Sequence, residues 1–444
     1  MLEKTDGVKK QKGRVVKDSQ IKTEMMKQMF KAAIDAAQPH LFMADALPTL
    51  KPEFDRLRQN PEARLVVLGC GKASAAMAAA FEQIVPQALH HRLEGLVVVP
   101  DGHEAETQYI EICCASHPVP DERSCDAAEQ MLGIAQALAE DDLLVMLISG
   151  GGSALCSLPQ PQLSLIQKQQ ITDALLRAGA DITQMNAVRK HLSQIKGGRL
   201  AAAAYPARCI SFGISDVPGD DVSVIASGPT VGDDTSCADA LEVIDRFNID
   251  IPDGMRAALE NAETESVFSS DPKLSQSDYY LLATPAKSLQ AAAEIAIKYG
   301  YEPVILGDAL DGESRILAAE MAQLAAQKNE EQPTTPLALI SGGETTVTVR
   351  GNGVGGRNVE FLHALALQRA CFGLAGDTDG IDGGAKVAGA IITPDTLARA
   401  EACGADAAAM LENNDSHRFF EQLGDQIITG PTLTNVNDFR VVLV

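Results

Sequence analysis

The chain predicts an α/β fold of more than one domain: a parallel sheet covered by helices on both faces, then a second α/β half whose sheet is mixed. Three observations carry this. At 444 residues it exceeds the size of one ordinary domain, roughly 100–200 residues. Short, continuous apolar runs alternate with helical stripes along most of its length, the pattern of strands buried on both faces. Its composition, 45% apolar and 22% charged, is that of a globular chain rather than a disordered or fibrous one.

The elements follow in order. Residues 1–20 are polar and lysine-rich with no apolar stretch, so they read as a loose basic tail rather than a signal peptide. From Ile21, the residues Met26, Met29, Phe30, Ala33, Ile34 and Ala37 form one helical stripe that Pro39 closes. Strands are predicted at RLVVL (64–68), GLVVV (95–99), YIEICC (109–114), LLVMLI (143–148) and RCISFGISDV (208–217). Helices interleave them, one Ala-rich, one from about Ser124, and one over Gln184 to Ile195. Between Asn248 and Ser277 the composition turns to Asp, Ser, Pro and Glu, which places a domain boundary there. The expected domains are thus 21–260 and 278–444. The second opens with YYLLA (279–283) and continues through a helix over 286–299, PVILG, another helix and a second LISGG string. Its TTVTVRG segment alternates like a half-exposed strand, which predicts the mixed sheet.

Bulk properties exclude some functions. A net charge of −23 leaves no extended basic face for nucleic acid or an anionic membrane. The nine Cys include no CxxC pair and read as reduced, mostly buried thiols. No segment approaches the ~18 apolar residues of a membrane span. A soluble cytoplasmic protein is expected, with a homo-oligomer left open.

Two apolar runs end in Ser-Gly-Gly, at Ser149 and at Ser341. Open α/β sheets bind ligands beyond the carboxyl ends of their strands, so two such edges facing one another would form an interdomain cleft. After RLVVL comes GCGKAS, in which Gly69, Gly71 and Lys72 open a helix. It lacks the third glycine of a dinucleotide-binding fingerprint and the spacing of a P-loop. A lysine in a first helical turn is disfavoured by the macrodipole unless an anion sits between it and the free N–H groups. The same arrangement recurs in RGNGVGGRN, where Gly355 and Gly356 lead into Arg357 and Asn358. There the glycines permit close backbone approach and the guanidinium offers a fork for carboxylate or phosphate. Arg189, Lys190, Lys196 and Arg199 add a basic stretch, although helical spacing keeps all four from facing one ligand. Asp216, Asp220 and Asp221 follow a strand end, and Asp377, Asp379 and Asp382 crowd into a second loop. Either loop suits turn formation or a Mg²⁺ site shared with phosphates. His117 and His191 stand without a nucleophile beside them.

The ordered series HPVPDERS, LISGGGSAL, VRKHLSQIKGGRLA, ISDVPGDDVSVIASGPT, ISGGETTVTVRGNGVGGRN, GDTDGIDG and TGPTLTNVND resembles the class II glycerate 2-kinases, whose C-terminal part is called the MOFRL domain. The resemblance runs from about Ile21 to Val444. It implies ATP-dependent phosphorylation of the C2 hydroxyl of D-glycerate to 2-phosphoglycerate, with Mg²⁺. It also implies a larger Rossmann-like domain and a smaller α/β domain around a deep cleft that holds the active site. Lys72 and Arg357 match the family's active-site cations, expected to neutralise the γ-phosphoryl group and the glycerate carboxylate. With that reading, Asp216 is expected to orient or accept the proton of the attacking hydroxyl. Asp377 and Asp379 are expected at the metal, and the turn of Ser149, Gly150, Gly151, Gly152 and Ser153 as N–H donors to oxyanions. Three departures mark the second domain: Val359 replaces an amide, Gly384, Ala385 and Lys386 replace a Pro-Thr-Asp stretch, and Leu433 replaces a small residue. Two rival readings are a hydroxypyruvate reductase, a label that members of the family often carry, and a regulator that binds an acidic metabolite without turnover.

Overall fold

The computed structural model describes the backbone of residues 2–444 and the side chains of residues 17–444 other than Pro218. The chain divides into two units, Pro39–Ala283 and Met1–Gln38 with Thr284–Val444.

The Pro39–Ala283 unit is built on β1 (Leu65–Cys70), β2 (Leu93–Pro100), β3 (Ile110–Ala115), β4 (Leu143–Ile148), β5 (Arg208–Ile214) and β6 (Ser277–Ala283). They lie in the order β3-β2-β1-β4-β5-β6, and every pairing is parallel. That is the strand order of the Rossmann sheet, whose winding reverses between β1 and β4. Both of these central strands are buried at all positions, which is why their sequences are unbroken apolar runs. Val66, Leu68, Met146 and Ile148 share a core with Ala128 and Met131 of helix Glu122–Gln136 and with Leu200 of helix Arg199–Ala204. Helix Ser74–Ile84 packs on β1, β2 and β4. Local signals start the helices where the sequence implies. Asp121 and Ser124 form a capping box before Glu122–Gln136, and Asp181 and Gln184 form one before Ile182–His191.

The other unit is built on β7 (Glu302–Gly307), β8 (Leu337–Ser341), β9 (Phe372–Asp377), β10 (Gly389–Ile392), β11 (Gln426–Ile427) and β12 (Asp438–Leu443). The order is β11-β10-β9-β12-β8-β7. Only β7 and β8 run parallel; the other pairings are antiparallel. Val441 faces a core shared with Met26, Met29, Phe30 and Leu289, and the next residue, Val442, faces one shared with Phe361, Leu362 and Leu317. The sheet is therefore covered on both sides.

Four expectations are corrected. YYLLA does not open the second unit; it is β6, paired with β5 as the last strand of the first sheet. Its half-exposed alternation is that of an edge strand. The helix expected from Ile21 belongs to the second unit, where it packs on helix Pro285–Lys298 and the sheet. This helix spans Leu2–Asp35, so the residues expected as a loose tail continue it from Leu2, in a stretch without proline and rich in helix-forming Lys. TTVTVRG forms no strand beyond a single bridge between Thr346 and Glu313. The mixed sheet comes instead from β12, the chain's last strand, which inserts antiparallel between β8 and β9.

Candidate active site

The point where the first sheet reverses its winding brings the GCGK and SGGGS strings together. β1 and β4 are adjacent in register, Cys70 opposite Ile148, so their following turns meet. Lys72 N donates to Gly150 O at 2.9 Å, Ser149 N to Cys70 O at 3.1 Å, and Ala73 N to Ser149 Oγ at 3.0 Å. Two glycines are fixed by this contact. Gly71 has φ of 133°, and a Cβ on it would lie 2.2 Å from Ser149 Oγ; one on Gly69 would lie 2.4 Å from Leu147 O. The N–H groups of Gly150 and Gly151 meet no acceptor among the described residues, whereas Gly152 N donates to Ser149 O at 3.3 Å.

Three side chains converge on that turn. A Cβ at position 150 would lie 1.8 Å from Asp216 Oδ2, and one at position 151 would lie 2.9 Å from His117 Nε2 and 3.5 Å from Lys72 Cγ. A lysine, a carboxylate and an imidazole therefore flank the two glycines whose backbone donors are open. His117 was set aside by sequence for want of a nucleophile beside it; its neighbours in the chain give no hint of the turn that it faces.

A cavity of about 630 Å³ begins at His117, Gly151 and Ser153 and reaches Lys168, Arg189 and Lys196. Helical spacing predicted that Arg189, Lys190, Lys196 and Arg199 do not all face one ligand, and of the four only Arg189 and Lys196 line this cavity. They meet because helix Ile182–His191 ends before Lys196, and the chain turns back to the β4 loop. Lys196 is buried and donates to Ser153 O at 3.0 Å, Ser153 Oγ at 3.1 Å and Ala226 O at 3.2 Å. Burial pulls its pKa down to about 8, opposed by the nearby Cys156 and Cys70 thiols. Lys168, missed by sequence, is 6% exposed, and among the described residues its ammonium meets only Ser157 Oγ, at 3.3 Å. Burial, then the charge of Lys196, pulls its pKa down to about 7. A signal for it existed: Lys168, Ile171 and Leu175 are the buried face of helix Leu165–Arg177.

Lys190 leaves the binding set. Its ammonium is buried against Asp233 at 3.1 Å, away from the cavity lining. Arg199 caps backbone carbonyls of Lys190, Lys196 and Thr264. His191 is held between Ala187 O at 2.7 Å and Glu265 Oε1 at 3.1 Å, which gives it a structural role.

In the second unit, β9 ends at Asp377 and β12 begins at Asp438, opposite each other in register. Arg357, the first residue of helix Arg357–Gln368, spans both. Nε donates to Asp438 Oδ1 at 2.8 Å and Nη2 to Asp377 Oδ2 at 2.6 Å, while Nη1 lies 3.1 Å from Glu344. Burial opposes the guanidinium charge, yet Asp438, Asp377 and Glu344 together hold its pKa above the ordinary arginine value. Asp377 is pushed well above the usual carboxylate range by burial and by the Asp379 and Asp438 charges, with Arg357 only partly offsetting them. Arg440, fully buried, donates to Asp438 and to Gly342 O. Carboxylates thus outnumber cations here, and Asp377 and Asp379 present the hard oxygen donors that Mg²⁺ prefers.

The expectation of a ligand anion at this helix N-terminus is corrected. Asp382 already occupies it, accepting from Asn358 N at 3.1 Å and Val359 N at 2.9 Å. Asn358 is buried and gives its amide to Asp438 at 2.7 Å, a positioning role within the protein. Gly355 and Gly356 allow the loop to approach Asn414 and Asp382: Cβ atoms there would lie 2.7 Å from Asn414 O and 2.4 Å from Asp382 Oδ2. Asn414 and Asp415, also missed by sequence, hold this loop by accepting from Arg350 N, Gly351 N and Val354 N. Among the departures, Val359 is a core residue and Leu433 adopts a left-handed φ of 59°, uncommon for a bulky side chain.

Comparison with known proteins agrees with this architecture. Residues 25–260 match the model of a family described as a domain of unknown function, DUF4147, and residues 337–438 match the MOFRL family. The D-glycerate 2-kinase of Thermotoga maritima is 36% identical over 427 residues, 94% of this chain and 97% of that protein. Human glycerate kinase is 34% identical over 95% of this chain and 93% of its own. An Agrobacterium vitis protein with a provisional hydroxypyruvate reductase name is 45% identical over 95% of this chain and 94% of its own. The crystal structure of a Thermotoga maritima glycerate kinase superposes with a TM-score of 0.85 at 34% identity, covering 95% of this chain and 99% of that one. Matched nearly end to end in sequence and in fold, the chain belongs to the MOFRL-containing glycerate 2-kinase family.

Proposed function

We propose that this protein transfers the γ-phosphoryl group of ATP to the C2 hydroxyl of D-glycerate, giving 2-phosphoglycerate and ADP. The observation that carries this reading is the β1–β4 turn at the sheet's switch position, where Asp216 lies against Gly150 and Lys72 against Gly151, two residues whose backbone N–H groups meet no acceptor among the described residues. Phosphoryl transfer asks a protein mainly for alignment and for neutralisation of spread negative charge. Gly150 and Gly151 donate to oxygens of the transferred group, and Lys72 neutralises it. Asp216 orients the C2 hydroxyl and accepts its proton as the new P–O bond forms and the bond to ADP breaks. In the second unit, Asp377 and Asp379 would hold Mg²⁺, which supplies further neutralisation of phosphate charge when bound. Arg357 keeps those carboxylates in place. No helix among the described residues is long and apolar enough to cross a membrane, which accords with a cytoplasmic enzyme.

One observation favours a nicotinamide-dependent reductase as a second reading. Asp101 directly follows β2, where Rossmann enzymes carry the acid that binds ribose. Both of its oxygens, however, are held by Arg123, at 2.8 and 3.0 Å. The third fingerprint glycine is Ser74, whose Oγ is spent on Leu147 O.

Substituting Asp216 by Asn separates these readings. With D-glycerate, ATP and Mg²⁺, kcat is expected to fall by ~10²–10⁴-fold while nucleotide affinity measured by calorimetry stays within about twofold. Undiminished turnover would remove Asp216 from the proton transfer. NADH oxidation by the unmodified protein with hydroxypyruvate, without ADP formation from glycerate, would favour the reductase.

A further inference from the structure

The cavity beside the β4 turn collects cations that the protein itself does not neutralise. Among the described residues Lys168 meets a single hydroxyl. Lys196 meets two carbonyls and a hydroxyl, all neutral. Arg189 makes no hydrogen bond or ion pair among the described residues, although burial lowers its pKa. The one acid in the lining, Asp173, pairs with Arg177 at 2.9 Å. Three neighbouring basic side chains without a counter-ion among the described residues are costly to keep charged unless something anionic joins them. The lining also holds apolar Val119, Pro120, Ala154 and Leu176 beside the neutral polar Gln169, Gln170 and Thr172. Its 630 Å³ lies within the range of ~300–1,000 Å³ that suits ligands of nucleotide size, and far exceeds a three-carbon acid.

From this juxtaposition we infer that the cavity holds the phosphoryl donor, a purine nucleoside di- or triphosphate. Its phosphate tail lies on Lys168, Arg189 and Lys196, and its base lies against the apolar residues of the lining. The inference rests on the kinase reading for the identity of the nucleotide and adds Lys168, which nothing in the motifs assigns. The tail would run toward Ser153 and Gly151, both of which also line the cavity, and so toward the turn that receives the γ-phosphoryl group.

The test uses the full chain with Lys168→Met, which keeps length and removes charge, and Arg189→Gln as a second variant. Replacing an unpaired buried cation by an apolar side chain should leave the melting temperature unchanged or higher. In both variants, the KM for ATP and the calorimetric Kd for ADP with Mg²⁺ should rise by roughly tenfold or more, the loss expected of a charge-assisted contact. The KM for D-glycerate should stay within about twofold. A rise in the glycerate KM with ATP and ADP unaffected would assign the cavity to the acid and overturn the inference. Unchanged values for all three would overturn it as well. Failure of the kinase reading looks different: no glycerate phosphorylation by the unmodified protein, yet ADP binding that Lys168→Met still weakens.

Discussion

Lys72→Met should lower kcat for D-glycerate phosphorylation by ~10²–10³-fold or more, with a melting temperature close to that of the unmodified protein. Both halves of this expectation follow from its position. The backbone of Lys72 is fixed by Gly150 O, a bond that any residue at 72 can make, so the turn survives the substitution. Its Cγ would lie 3.5 Å from a Cβ on Gly151, and Lys72 is not among the buried core residues. What disappears is one positive charge at the site of charge development, where preorganised electrostatics supply most of the rate. Because the effect belongs to the transition state, kcat should fall more than KM rises. Steady-state kinetics with a thermal melt measures both. A variant with normal kcat would show that the phosphoryl group reacts elsewhere.

Arg357→Met should act on stability as strongly as on turnover. Asp377 and Asp438 are 3% and 2% exposed, and Arg357 binds both. Without the guanidinium, buried carboxylates lose a counter-charge, a change that costs about 3–5 kcal/mol in comparable sites. The pH dependence has a definite sign. Asp377 has a folded pKa raised above its unfolded one, so the folded state binds more protons than the unfolded chain between those two values. Stability from this group therefore falls as pH rises through that window and returns on acidification. Removing Arg357 raises the Asp377 pKa further and deepens the slope. Melting temperatures from pH 5 to 8 should show the variant recovering part of its loss at the acidic end, and Arg357→Lys should be intermediate. Equal stability of variant and parent at every pH would mean that the carboxylates do not depend on Arg357.

These predictions also mark what the sequence could disclose. β1 and β4 were legible because a strand buried on both faces must be an unbroken apolar run, and Gly71 and Lys72 because a glycine turn before a helix is a local feature. β6 was assigned to the wrong half, since an edge strand alternates and nothing local says which sheet it joins. Lys168 was hidden among the polar residues of an amphipathic helix, visible only by its phase with Ile171 and Leu175. Spacing told that Arg189, Lys190, Lys196 and Arg199 could not all face one ligand, but not that Lys190 would turn to Asp233 while Arg189 and Lys196 line one cavity. The two Ser-Gly-Gly strings are alike as text and differ in structure. At the first, Gly150 and Gly151 keep their N–H groups open. At the second, a Cβ on Gly343 would lie 2.1 Å from Leu310 O, and Gly343 O accepts from Asp438 N. Such long-range packing, like the pairing of Arg357 with Asp438, leaves no mark in residue spacing.

Product identification is the most direct test of the activity. The purified protein, given D-glycerate, ATP and Mg²⁺, should form one ADP per glycerate consumed, and phosphorus NMR should show the phosphoryl group coupled to the single C2 proton of 2-phosphoglycerate. Phosphorus coupled to the two C3 protons, or consumption of NADH with hydroxypyruvate and no ADP from glycerate, would contradict the account.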